Sequence, residues 1–325
     1  MGKAFSRARV RGLAPVLTGL VISAPLSVLY GQGASGGVRN IEAGMPPVAI
    51  HATVGDAANA HAAHGHGGGG GSNNLSYHGG AVQTAPTVFL VFWGSQWNNN
   101  DPSGEAGILQ NFFGGVGGSS WSNTNTQYCE GVAVGTVQCG SNGTHAGNNV
   151  TLGGVWYDNT SAAPSRPSQS QLAAEAVKAA SHFGYSANAQ YVIATATGNN
   201  ASGFGTQYCA WHSSTSSSSG NIAYTNLPYI TDAGASCGAN FNGLGPNAGI
   251  TIVEGHEFAE SVTDPFPSSG WVDGSGAEIG DKCAWISSGQ GASADITLST
   301  GTFAVQSLWS NAFNSGAGGC VLSYP

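Results

Sequence analysis

Two segments constrain the fold more than any other part of this chain: Thr87–Trp93, TVFLVFW, and Gln190–Thr195, QYVIAT. Each is apolar almost without interruption over strand length. A strand with one wet face alternates polar and apolar residues, so a continuous run predicts a strand covered on both faces. Helices are the usual cover. Gln169–Phe183 lies between the two runs and places Leu172, Ala176, Ala179, Ala180 and Phe183 on one side. Ser168 or Ser170 can cap its start and Gly184 its end. Glu105–Phe113 is a shorter helical candidate. Further strand-length runs are Val150–Tyr157, Asn221–Thr225, Ile296–Ser299, Thr302–Leu308 and Cys320–Tyr324. Alternating strands and helices predict an α/β or α+β single domain, with a mixed, largely buried sheet flanked by helices. The Gly/Ser/Asn-rich stretches between them, such as Ser213–Gly220, read as surface loops.

Only 7% of the 325 residues are charged, while 52 are glycine. A soluble domain typically carries about 25% charged residues. Lys3, Arg7, Arg9 and Arg11 precede an apolar stretch from Gly12 to about Tyr30, and a small, polar segment follows. That layout predicts a secretory signal peptide over 1–34. A membrane anchor is the competing reading, but Pro15 and Pro25 interrupt the stretch. With those four bases removed, 4 basic residues face 16 acidic ones. Nucleic acid is therefore an unfavourable partner, and no second segment is apolar enough to hold a membrane after signal cleavage. Cys129, Cys139, Cys209, Cys237, Cys283 and Cys320 fit three disulfides in an oxidising compartment. Pairing in sequence order closes the shortest loops among about 15 possible connectivities.

Residues 35–74 contain His51, His61, His64 and His66, then five glycines, and almost no bulky apolar residue. They read as a His/Gly-rich pro-segment or linker, with metal binding by the histidines as the alternative. The globular domain is expected over 75–325.

Chemistry concentrates in Ile250–Pro265, ITIVEGHEFAESVTDP. The segment reads as a helix that stops before Pro265. His256 and Glu260, four residues apart, share a helix face and can hold one metal ion. Glu257 projects beside them, where a general base acting on metal-activated water would stand. This is the H-E-x-x-H arrangement with glutamate as the second ligand. Zinc suits the donors, and the carboxylate content also admits manganese or calcium. Seven of the 16 carboxylates lie between Glu254 and Asp281, where Lys282 is the one neighbouring base. A bound cation would neutralise that crowding. Further ligands rank as Asp281 and Glu278 first, then His212, then His78. His145 and His182 carry no functional signal.

In order along the chain, YHGG (Tyr77–Gly80), VFLVFWGSQW (Val88–Trp97), YCAWHS (Tyr208–Ser213), HEFAESVTDP (His256–Pro265) and EIGDKC (Glu278–Cys283) resemble the bacterial branch of the Exordium-like, phosphate-induced secreted proteins. The resemblance spans roughly residues 77 to 285. It implies an extracellular or wall-associated protein. The helix itself is similar to that of zincin metallopeptidases, with Glu260 where they carry the second histidine.

Two functions follow as expectations. One is a secreted metal-dependent hydrolase of metallopeptidase type acting on extracellular protein or peptide, with Glu257 as general base. The other is a non-catalytic extracellular protein with a structural calcium or zinc site, whose aromatics could contact cell-wall polysaccharide.

Overall fold

A computed structural model describes residues 1–2, 36–57 and 74–324. Two compact units divide the chain, Met1–Gln32 and Gly33–Pro325, and the fold is that of the second. The expected signal peptide and the histidines at 61, 64 and 66 lie outside the described residues.

Seven strands form a mixed sheet: β1 Gly37–Arg39, β2 Val48–His51, β3 Thr87–Trp93, β4 Thr151–Asp158, β5 Ala189–Thr195, β6 Ala210–Ser217 and β7 Gly220–Leu227, in the spatial order β1-β2-β6-β7-β5-β3-β4. Strands β7, β5, β3 and β4 are mutually parallel, and β6, β2 and β1 are added antiparallel. The two continuous apolar runs are the central strands β3 and β5, as their composition requires. Val88, Leu90 and Phe92 of β3 face one layer, while Phe89 and Val91 face the other. Between Val88 and Phe89 the register with β4 shifts past Gly153. A Cβ there would lie 2.6 Å from the Phe89 ring, so the bulge requires glycine.

Helix α2, Gln169–Phe183, covers the Phe89 face with Leu172, Ala173, Ala176, Ala179 and Ala180. Ser168 and Gln171 form a reciprocal capping box, and Gly184 stands at the C-cap with φ 98°. The other face receives α1, Glu105–Gly115, and α3, Ala248–Thr263. Helix α3 lies between the sheet, α1 and the hairpin Ala294–Leu298/Gly301–Val305. All 16 of its residues are consequently buried. A helix enclosed on every side has no solvent face for its polar residues, so its acids and histidine point into protein. The disulfides are Cys129–Cys139, Cys209–Cys237 and Cys283–Cys320, the sequential pairing. They fit an oxidising compartment. Among the described residues, no helix is long and apolar enough to cross a membrane.

Two expectations need correction. Ser213–Gly220 is not a free loop: Ala210–Ser217 is β6, and Gly220 opens β7. Serine and threonine hid this strand, although its first four residues, Ala210 to Ser213, are all buried. Nor is the described part of 35–74 a tether, because β1 and β2 are built into the sheet edge. Short as VAIH is, all four residues of β2 are buried, and the strand pairs with β1 on one side and β6 on the other.

Candidate metal centre

His256 and Glu260 lie one turn apart on α3, with His256 Nε2 2.9 Å from Glu260 Oε1. The other ring nitrogen, Nδ1, is 3.2 Å from Gln306 Oε1. Gln306 donates its amide N–H to Gly280 O at 2.8 Å and to Ser307 O at 3.2 Å, which orients its oxygen as the acceptor. Nδ1 is therefore the donor to Gln306, and in the neutral ring Nε2 is the nitrogen left to bind a metal. Nε2 faces carboxylate oxygens, Glu260 Oε1 and, at 3.8 Å, Asp281 Oδ1. Such a gathering of nitrogen and carboxylate oxygens is held together by a positive charge, either a proton on the ring or a metal cation among the donors. Fixing one imidazole nitrogen through an outer hydrogen bond is also how proteins orient metal-binding histidines.

The loop Glu278–Cys283 closes over this point. Asp281 N–H donates to Glu260 Oε1 at 3.0 Å, and Glu278 N–H donates to Asp281 Oδ2 at 3.1 Å. Gly280 is there because of the ring beneath it. A Cβ at this position would lie 2.6 Å from His256 Nδ1 and 2.8 Å from Cγ. The Cys283–Cys320 bond anchors the end of the loop.

Two histidines enter from the sheet. His212 on β6 pairs in register with Ala49 of β2, and its Nε2 lies 3.2 Å from Glu278 Oε2 and 3.5 Å from Glu260 Oε2. His51, at the end of β2, stacks on His256 with ring centroids 3.9 Å apart and planes 2° from parallel. The stack supports the His256 ring from one face. Trp285 stacks on His51 in turn, at 4.9 Å. The segment carrying His51 covers the centre: Gly36 packs on Asp281, and Trp285 Nε1 donates to Ala52 O at 2.8 Å.

Three groups of side chains are spaced to hold a cation: His256–Glu260–Asp281, His212–Glu260–Glu278 and His51–His256–Glu257. Every donor in them is buried, none more than 2% exposed. His256 Nε2, Glu260 Oε2, Glu278 Oε1, Asp281 Oδ1 and both oxygens of Glu257 have no hydrogen-bond partner. Each such orphan costs about 1–3 kcal/mol, and a divalent ion would recover several at once. Among the described residues, these buried His/Glu/Asp clusters are able to bind a metal ion.

Electrostatics follows from burial. Desolvation, reinforced by the charge of Glu260, holds the Glu257 and Asp281 carboxyls well above their ordinary values, and Glu278 likewise. Burial also pushes Glu260 up, but His256 and His212 outweigh it and leave the group below the usual range. Desolvation lowers His51 well below its ordinary value, helped by His256. In His212 the carboxylates, Glu260 foremost, overcome desolvation and raise it.

Not all of the acidic run belongs here. Asp264 accepts the backbone N–H groups of Ser268, Ser269 and Gly270 and closes the turn after α3, while its carboxyl, at the edge of the centre, helps to raise that of Glu278. Asp273 pairs with Lys282 at 2.7 Å, so the nearby base is engaged away from the centre. Glu254, one turn before Glu257, is buried with both oxygens unpartnered. His78 is a correction: it is exposed, its Nδ1 2.9 Å from Ser76 O, and it joins none of the three groups. His145 meets Thr126 O, and His182 stacks on Trp156. Sequence reasoning placed His51 in a His-rich linker with metal binding as the alternative, and missed Gln306 and Gly280 as parts of the centre. Only His51 carried a signal, the apolar VAI before it. No family model, curated protein or solved structure matches the chain.

Proposed function

We propose that the chain is a secreted metal-dependent hydrolase of metallopeptidase type, in the bacterial Exordium-like group that its motif order resembles. The observation that carries this reading is the placement of His256 Nε2, with Nδ1 held by Gln306, against the buried carboxylates of Glu260 and Asp281. A divalent cation held by His256, Glu260 and Asp281 would supply Lewis acidity toward a substrate carbonyl and acidify water. The mixed imidazole and carboxylate donors suit zinc, with manganese and calcium as alternatives. Glu257 stands beside His256 with both oxygens free of partners. Burial raises its pKa toward the range in which a carboxylate serves as a general base. His51 and Gln306 keep the His256 ring in place. Residues 36–57 cover His256 and Asp281, so a substrate reaches the centre only if this segment moves aside. An extracellular protein or peptide is the expected substrate.

The complete burial of the donors favours a second reading, a wall-associated or extracellular protein whose metal is structural. Hydrolysis of casein separates the two. The intact chain and a sample after limited proteolysis are assayed with zinc, manganese or calcium, with and without chelator, beside Glu257→Gln. The catalytic reading expects chelator-sensitive activity that Glu257→Gln abolishes while still binding metal. No activity in any sample, with metal bound, gives the case to the structural reading.

A further inference from the structure

Glu260 offers one oxygen to each of two histidines. Its Oε1 lies 2.9 Å from His256 Nε2 and its Oε2 lies 3.5 Å from His212 Nε2. Two of the three cation-spaced groups share this one carboxylate, with Asp281 completing one and Glu278 the other. We propose that the centre holds two divalent cations, one at His256–Glu260–Asp281 and one at His212–Glu260–Glu278, with Glu260 bridging them. The inference deepens the metal-dependent reading and rests on the first of these ions being present.

Three observations carry it. The first is the pairing itself. A carboxylate that binds one ion leaves its second oxygen to water or to an N–H donor, whereas here that oxygen is fully buried with no hydrogen bond. It points toward His212, whose Nε2 already meets Glu278 Oε2 at 3.2 Å. The second is the set of orphans at the second position. Glu278 Oε1 is buried without a partner, beyond what one ion on the His256 side would collect. The third is charge. The three groups contain Glu257, Glu260, Glu278 and Asp281 and the imidazoles of His51, His212 and His256. Carboxylate ligands bind metal in their deprotonated form, and the two positions together use Glu260, Glu278 and Asp281. One divalent ion leaves one of these three buried negative charges uncompensated, and a second ion offsets it. The one neighbouring lysine, Lys282, is paired with Asp273. Paired ions about 3.5–4 Å apart are a known device for clamping both oxygens of a displacement reaction, and a bridging carboxylate suits that spacing.

Stoichiometry tests the proposal without reference to turnover. The purified full chain is stripped with chelator, loaded with zinc, desalted and measured by elemental analysis. About two zinc ions per chain are expected, falling to about one in His212→Ala and in Glu278→Gln, as a two-metal site requires. Loaded with manganese, the wild-type chain should give an exchange-coupled paramagnetic resonance signal that both variants lose. One zinc per chain in the wild type overturns the second position and leaves the single-ion reading standing. Two zinc ions that survive both substitutions put the second ion elsewhere, for instance on the histidines before Leu75, and equally overturn it. No zinc at all overturns the metal reading itself. Glu278→Gln keeps the side-chain volume, so a folding failure of His212→Ala leaves the outcome decidable.

Discussion

Gly280→Ala isolates the clamp on His256. The backbone there has φ −82° and ψ −45°, which alanine adopts without strain. The nearest obstacle is the imidazole. The new Cβ would meet Nδ1 at 2.6 Å, Cγ at 2.8 Å and Cε1 at 2.9 Å, where ordinary contact begins at 3.4 Å. The ring must withdraw by about 0.8 Å, beyond the roughly 0.5 Å within which a functional constellation must be held. It has little room: His51 fills one face and Gln306 holds Nδ1. Overpacking of this kind costs about 1–3 kcal/mol, and about 2–4 °C of Tm is lost per kcal/mol in a domain of this size. A displaced Nε2 should also weaken zinc binding by about 10–100-fold, as other losses of ligand orientation do. Gly274→Ala is the control, since a Cβ there meets nothing within 4 Å. Thermal denaturation of metal-free and zinc-loaded protein, with a competitive zinc titration, reads both effects. If Gly280→Ala matches Gly274→Ala in Tm and in zinc affinity, His256 is not clamped as described and the site argument fails with it.

Away from the centre, burial and the neighbouring Asp158 push the Glu175 carboxyl up to about 8. Its proton stabilises the folded state fully below the ordinary value of 4.5, and that contribution is lost as pH rises to about 8. Denaturant midpoints of Glu175→Gln should therefore fall less than the wild type's between pH 5 and pH 9, and parallel profiles would refute the shift. His51→Phe keeps the stack on His256 while removing two unpartnered nitrogens. Stability should stay within about 1.5 kcal/mol and zinc content should not change; lost zinc would make His51 a ligand. Replacing both Cys283 and Cys320 by serine should cost about 2–4 kcal/mol and weaken zinc, because that bond anchors the loop of Asp281. The same change at Cys129 and Cys139 should lower stability alone, and equal zinc affinity in the two double variants would argue against the tether.

Much of the framework was legible because it rests on local physics. TVFLVFW and QYVIAT could only be central strands, Ser168 and Gly184 bounded α2, and the Asp264–Pro265 step ended α3. Helical spacing alone put His256 beside Glu260. Strands β2 and β6 escaped notice, because one is short and the other is mostly serine and threonine. Their burial comes from neighbours distant in sequence, not from their own composition.

The order of EIGDKC gave Glu278 and Asp281 as candidates together, without saying which ion each would meet. Only the tertiary structure divided them, setting Asp281 against His256 and Glu278 against His212. It also removed His78 to the surface, brought His51 from a presumed linker onto the His256 ring, and turned Asp264 and Asp273 to structural roles. The physical reason is that donor type and helical spacing are properties of a short stretch of chain. Convergence of donors on one point depends on how β6, α3 and the loop after it pack, and that is set by the burial of the whole apolar core.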